Sequence, residues 1–321
     1  MNKRTLLLAV AALLTAASAF AAGELPVKTQ TLQSKVDKHP LSMSIIAPEG
    51  QPKAIVCISH GMAEHKERYF PFMQYLARNG YVVEAHDHRG HGGSITRKAG
   101  LGDFGTNKYR AISDDLQLMV TYMQEQYPGI PTYLFCHSMG TMVGRLYLQD
   151  YDTSVDKVIF CGPPSVGGGR RSFKASFQAW WRNLWHPHKA PTARAFAGMD
   201  NGGTPNSWLS VNPDNVAAYN ADPLCGFSFT YNGSYNSGKM SRAIAREHWD
   251  IDNPSLPIWM IAGEDDRAIG NPERFYNLAD FLRSQGYTRV DAKIYPGLRH
   301  ELLNEIGKEE IWAEVKAFYD R

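Results

Sequence analysis

The sequence predicts an α/β fold: a mostly parallel sheet covered by helices on both faces, with one long segment inserted as a cap. Three observations predict it. Short, nearly continuous apolar runs rich in β-branched and aromatic residues recur along the chain, as strands buried on both faces require. Amphipathic helical patterns separate them, which argues for parallel strands joined by crossovers. One stretch, residues 163–251, breaks the rhythm with Gly, Pro, Asn and Trp and no convincing run of strands.

Taken in order, residues 41–46 form an early antiparallel strand. Buried strands follow at 54–59 (AIVCIS), 81–85 (YVVEA), 132–136 (TYLFC), 157–161 (KVIFC) and 257–262 (PIWMIA), with a short one at 292–295. Helical spacing marks 70–78, stopped by Asn79-Gly80, and 111–126, where Leu116, Val120 and Met123 share a face and Pro128-Gly129 ends the run. Further helices are expected at 142–149, 271–285 and 309–319. Gly167-Gly168-Gly169 opens the irregular stretch and Asp252-Asn253-Pro254 closes it, so it reads as an insertion over one sheet edge. The expected organisation is a core of residues 22–162 and 252–321 with a cap of 163–251.

Residues 1–21 read as a cleaved export signal of bacterial type. Lys3 and Arg4 precede an apolar run at 6–14, too short to span a bilayer, and Ala19-Phe20-Ala21 is the best cleavage triplet. The expected destination is periplasmic or secreted. The chain carries 34 Lys+Arg and 32 Asp+Glu; without Lys3 and Arg4 the mature chain holds 32 of each. A neutral chain of this kind is a poor general nucleic-acid binder. Cys57, Cys136 and Cys161 sit in strand-like runs and read as buried thiols, and spacing alone does not establish a Cys161–Cys225 bridge. No CxxC or paired Cys/His spacing points to a metal, and no cofactor is called for.

Three motifs carry chemistry. Cys136-His137-Ser138-Met139-Gly140 lies between a strand and a helix, the setting of a strained nucleophile turn with Ser138 at its tip. Ser59-His60-Gly61-Met62 follows the strand AIVCIS, where a turn can aim a backbone N–H at an oxyanion; the N–H groups of Met62 and Met139 are the candidate pair. Gly263-Glu264-Asp265-Asp266 follows PIWMIA, and His300 follows the strand at 292–295. Each of Ser, acid and His thus lies just past a strand's C-terminal end, on one rim of the sheet. Asp266, Asp265 and Glu264 compete for the acid.

These stretches resemble the α/β-hydrolase superfamily, in particular its monoacylglycerol lipase, lysophospholipase and serine-aminopeptidase-like branch. The resemblance rests on HGMAEHKERY (60–69), HDHRGHGGS (86–94), YPGIPTYLFCHSMG (127–140), GEDD (263–266) and YPGLRH (295–300). It implies an eight-stranded sheet, the nucleophile at Ser138, the acid at Asp266, the base at His300 and the oxyanion donors at Met62 and Met139. Cys136 and Thr141 stand where this branch usually has Gly. The resemblance also makes the cluster His86, His88 and His91 a structural turn. Glu64 and His65 are expected to organise the oxyanion turn, His137 to pack at the pocket, and His186 and His188 to be solvated.

Within the insertion, Phe173, Phe177, Trp180/Trp181 and Leu184 fall on one face of a helix with Trp185 beyond, ringed by Arg170, Arg171, Lys174, Arg182 and Lys189. The expectation is that this face packs on the core and that Phe173, Phe177, Trp181 and Trp185 line an acyl pocket, with membrane-surface contact as the sharper alternative. The expected function is an exported serine hydrolase of small-molecule or lipid esters, monoacyl lipids foremost. A small-ester carboxylesterase, an aminopeptidase or amidase using Asp200, Asp214 or Asp222, and a non-catalytic binding protein are the rivals.

Overall fold

Eight strands form one sheet: β1 (Val27–Gln33), β2 (Pro40–Ile46), β3 (Ala54–Ser59), β4 (Tyr81–His86), β5 (Thr132–His137), β6 (Lys157–Cys161), β7 (Ile258–Gly263) and β8 (Val290–Tyr295), in the order β1-β2-β4-β3-β5-β6-β7-β8. The computed structural model describes residues 24–165, 173–191, 196, 198–200, 203–246 and 248–321, with the side chains of 173–176 outside that description. The expected export segment, Gly167-Gly168-Gly169, Arg170 and Arg171 also lie outside the described residues. β1–β2 and β2–β4 pair antiparallel; every other pair is parallel. β3 has β4 on one side and β5 on the other, so the strand order reverses there and a crevice opens at the C-terminal ends of β3 and β5.

The helices α1 (Phe70–Arg78), α2 (Ala111–Gln126), α3 (Met139–Tyr151), α7 (Pro272–Gln285) and α8 (Lys308–Asp320) flank the sheet, and α4 (Phe173–Trp185), α5 (Pro213–Ala221) and α6 (Tyr231–Ile244) lie between β6 and β7. Strand alternation divides the core in two. Ile55, Cys57, Leu134 and Cys136 join the cluster that holds α2, α3 and α7 residues, while Val56, Ile58, Tyr133 and Phe135 join that of α1 and α8. β1 was not expected. Its sequence VKTQTLQ is half-exposed and polar, which suits an edge strand and hides it from an apolar-run search.

The turn after β4 buries a histidine cluster. His60 and His88 lie 4.4 Å apart between ring centroids, and His60 and His91 5.1 Å. Burial pushes both His60 and His91 down to about 3. Because the folded value lies below the unfolded one near 6.5, the stability is present above pH 6.5 and is lost as pH falls toward 3. Between pH 7 and 5 the two should cost about 2 kcal/mol each. His65 works in the opposite direction: burial disfavours its charge, but bonds to Cys225, Glu67 and Asp222 outweigh this and push it up to about 11. Its contribution is nearly complete by pH 7, so acidification recovers under about 1 kcal/mol from it. Urea unfolding at the two pH values is expected to show lower stability at pH 5, and equal stability would refute this account.

Candidate active site

The turn between β5 and α3 holds Ser138 at φ 52°, ψ −119°, a strained conformation for a residue with a side chain. The turn survives because its neighbours leave room. A Cβ on Gly140 would lie 2.0 Å from the Ser59 carbonyl oxygen, so only glycine lets α3 start against the end of β3. Cys136 is accommodated from within α3: a Cβ on Gly144 would lie 2.7 Å from the Cys136 sulfur. Thr141 donates its hydroxyl to the Ser138 carbonyl at 2.7 Å, and the Ser138 N–H donates to Cys161 O at 2.9 Å.

The rim after β7 and β8 supplies a buried acid–imidazole pair. A Cβ on Gly263 would lie 2.3 Å from the carbonyl oxygens of Leu298 and Arg299, so glycine lets the end of β7 pack against the loop that carries His300. His300 and Asp266 are both buried, and His300 Nδ1 lies 2.8 Å from Asp266 Oδ2. The other Asp266 oxygen accepts the Ala268 N–H at 2.8 Å. Glu264 and Asp265 are exposed, so of the three acids it is Asp266 that meets the imidazole. His300 Nε2 is buried with no hydrogen-bond partner among the described residues. His300, Ser138 and Met62 line one cavity with Gly61, Phe196, Trp208, Leu209 and Tyr219. The Trp208 ring lies 4.8 Å from the His300 ring and 5.0 Å from that of Phe196, tilted against both.

A charged network frames the turn at Met62. Glu64 Oε1 accepts from the Gly61 N–H at 2.5 Å and from the Tyr69 hydroxyl at 2.8 Å, and lies 3.1 Å from His137 Nδ1. Arg68 bridges Glu64 and Glu301, and His137 Nε2 lies 3.2 Å from the His300 carbonyl. Burial works to raise the Glu64 carboxyl, but the His137 hydrogen bond and the Arg68 charge outweigh it and hold it well below the usual carboxylate range. Met62 lies just past Gly61, and Met139 occupies the first position of α3, where helix N–H groups lack intrahelical acceptors.

A family model described as "Serine aminopeptidase, S33" matches residues 50–307. The chain belongs to the S33 serine aminopeptidase family. It is a serine hydrolase of the α/β-hydrolase type. The S33 chain is 28% identical over 271 residues to a monoglyceride lipase of Rattus norvegicus, a match covering 81% of this chain and 79% of that one. It is 28% identical over 287 residues to a monoacylglycerol lipase of Mycolicibacterium smegmatis, covering 84% and 89%. Among solved structures it superposes on a thermostable carboxyl esterase from Bacillus coagulans in complex with glycerol, with a TM-score of 0.76, 27% identity and 92% and 98% coverage.

The aromatic residues expected to line the S33 enzyme's pocket are elsewhere. Phe177, Trp181 and Trp185 are 49%, 49% and 60% exposed and do not border the Ser138 cavity; the Phe173 side chain lies outside the described residues. The aromatic face does not pack on the core because α4 docks through its polar side. Asn183 is buried and donates to Asn107 Oδ1 at 2.9 Å, and Asn232 donates to the same oxygen at 3.1 Å. Besides Met62, the apolar residues at the site are Phe196, Trp208, Leu209 and Tyr219, which sequence reading missed. Trp208-Leu209, an apolar pair inside a polar stretch, was the available signal. His188 is not simply solvated either: its Nδ1 lies 2.7 Å from the buried Asp103. Cys161 and Cys225 are both free thiols.

Proposed function

We propose that the protein is an exported hydrolase of carboxylic esters of monoacyl lipids, of the monoacylglycerol lipase or lysophospholipase type. The observation that carries the reading is an aromatic-lined cavity that Ser138 shares with His300, whose Nε2 has no partner among the described residues and whose Nδ1 is held by Asp266. In this reading Ser138 Oγ attacks the ester carbonyl and its proton passes to His300 Nε2. The tetrahedral oxyanion is met by the Met62 and Met139 N–H groups, and its collapse expels the alcohol, which takes the proton from His300. Water then attacks the acyl-enzyme by the same route in reverse roles. Asp266 fixes the tautomer and balances the imidazolium.

Residues 1–21 serve as the export signal, and the segment 163–251 acts as a cap. The exposed aromatic face of α4, with the basic Arg182 and Lys189 near it, suits transient contact with a lipid surface. The names of the monoglyceride and monoacylglycerol lipase relatives support a monoacyl lipid substrate. A second reading, a small-ester carboxylesterase, is favoured by the little open space that the described residues leave beside Ser138 and by the carboxyl esterase likeness. An aminopeptidase is not favoured: Asp200, Asp214 and Asp222 do not border the cavity, and its acids, Glu64 and Glu301, are taken by Arg68. Hydrolysis of p-nitrophenyl esters of increasing length, monoacylglycerol, lysophospholipid and aminoacyl amides by the mature protein tests the reading. Higher kcat/KM for monoacylglycerol or lysophospholipid than for short esters is expected. Preference for short esters selects the second reading, and preference for aminoacyl amides overturns both.

A further inference from the structure

Beside the active site, three residues far apart in sequence meet at the joint between the oxyanion turn and the insertion. His65 Nε2 lies 2.8 Å from Asp222 Oδ2, and the ligand atoms of His65, Asp222 and Cys225 all lie within 4.8 Å of one another. Spacing could not reveal this set, because His65 is 157 residues from Asp222 along the chain. The set combines a thiol, an imidazole and a carboxylate, the donors that zinc and similar thiophilic divalent cations take.

We propose that His65, Asp222 and Cys225 form a binding site for a thiophilic divalent cation of the zinc class. The supports around the three donors fit that assignment. His65 Nδ1 lies 2.5 Å from Glu67 Oε2, the carboxylate orienting partner that metal-bound imidazoles commonly have on their second nitrogen. Asp222 uses its other oxygen to accept the Leu224 N–H at 2.8 Å, which leaves Oδ2 for the cation. Cys225 is half-buried, whereas Cys57, Cys136 and Cys161 are wholly enclosed. A tetrahedral zinc separates its donor atoms by about 3.3–3.8 Å, so His65 and Asp222 open slightly from 2.8 Å to admit the ion while Cys225 adjusts to reach it, which completes three positions and leaves the fourth for water.

Binding exchanges one divalent cation for two protons, the Nε2 proton of His65 and the thiol proton of Cys225, so the local charge is unchanged. Asp222, Glu67 and Glu64 favour the cation and Arg68 opposes it. Because the protons compete, affinity falls as pH is lowered. The site also has a mechanical position. The insertion holds the oxyanion turn at Ala63, whose carbonyl accepts from the Tyr219 hydroxyl at 2.8 Å and the Gly226 N–H at 2.9 Å, and whose φ of 56° is strained for alanine. A cation on Asp222 and Cys225 therefore ties that same segment to the turn carrying Met62.

The test uses the reduced, chelator-treated mature protein at pH 8, with cadmium as the spectroscopic probe and zinc as the stabilising one. Wild type is expected to develop a single-thiolate cadmium charge-transfer band, and zinc is expected to raise its Tm. Cys225→Ser, which keeps the His65–Asp222 contact and the esterase activity, is expected to lose both effects. Asp222→Asn is expected to weaken zinc at least tenfold. Absence of the band in wild type, or an equal band and zinc shift in Cys225→Ser, would overturn the site. Neither readout depends on the substrate, so the outcome stands apart from the proposed activity.

Discussion

Replacing Ser138 with alanine is expected to lower kcat on a p-nitrophenyl ester by about 10⁶ without altering the Tm by more than a degree or two. The size follows from the proposed role of Ser138 as the nucleophile of a unit whose members act together. The small structural cost follows from the site. Ser138 is buried at a positive φ that alanine tolerates no worse, and among the described residues no hydrogen bond of its Oγ holds the turn together, since its backbone N–H and C=O do that. His300→Ala should match Ser138→Ala, and the double variant should be no slower than either alone, because a base without a nucleophile contributes nothing. Asp266→Asn should be milder, near a 10⁴ loss. The amide would hold the imidazole in the wrong tautomer, with its proton on Nε2 instead of Nδ1. Fluorophosphonate labelling followed by intact-mass analysis checks the set: one adduct on wild type and none on Ser138→Ala. An undiminished adduct on Ser138→Ala would remove Ser138 from the mechanism, and no adduct on wild type would favour a binding protein.

How far the sequence reveals this site depends on whether each signal is local. The strand–turn–helix around Ser138 is a local pattern, because a tight turn needs a small residue two positions on, and Gly140 meets the Ser59 carbonyl for that reason. The buried strands were legible because burial on both faces leaves continuous apolar runs; β1, half-solvated, left none. The orientation of α4 was not legible. Its aromatic stripe predicts burial, but the helix is anchored by Asn183 through Asn107 and Asn232, partners 76 and 49 residues away. Amphipathicity shows which face is apolar and does not show what that face meets. The joining of His65 to Asp222 and Cys225, and of Arg68 to Glu301, is likewise a product of topology. These pairings exist only once the insertion and the loop after β8 return to the turn after β3.

Glu64→Ala is expected to cost 3–5 kcal/mol of stability, about the effect of stripping one member from a buried charged group, and to lower kcat/KM as well. The cost comes from what the carboxylate leaves behind. The Gly61 N–H, the Tyr69 hydroxyl and the His137 imidazole all lose an acceptor, and Arg68 keeps Glu301 but loses its second carboxylate. The kinetic loss follows because the same oxygen fixes the turn carrying Met62 and the imidazole that touches the His300 carbonyl. Glu64→Gln separates charge from shape. Its oxygen can still accept from Gly61 and Tyr69, so it should recover part of the lost kcat/KM. Its neutrality leaves Arg68 with one carboxylate, so it should recover less of the stability. The sign of the pH dependence is fixed by the lowered pKa: Glu64's contribution is complete above about pH 4.5 and is lost only as pH falls below it. The stability gap between wild type and Glu64→Ala should therefore not close between pH 8 and 5; it should widen on acidification, because Glu64 is what raises the buried His137 against the pull of burial, while both proteins weaken through the histidine cluster. Urea denaturation across that range measures it, and a gap that closes by pH 5 would mean that Glu64 is not held ionised by Arg68 and His137.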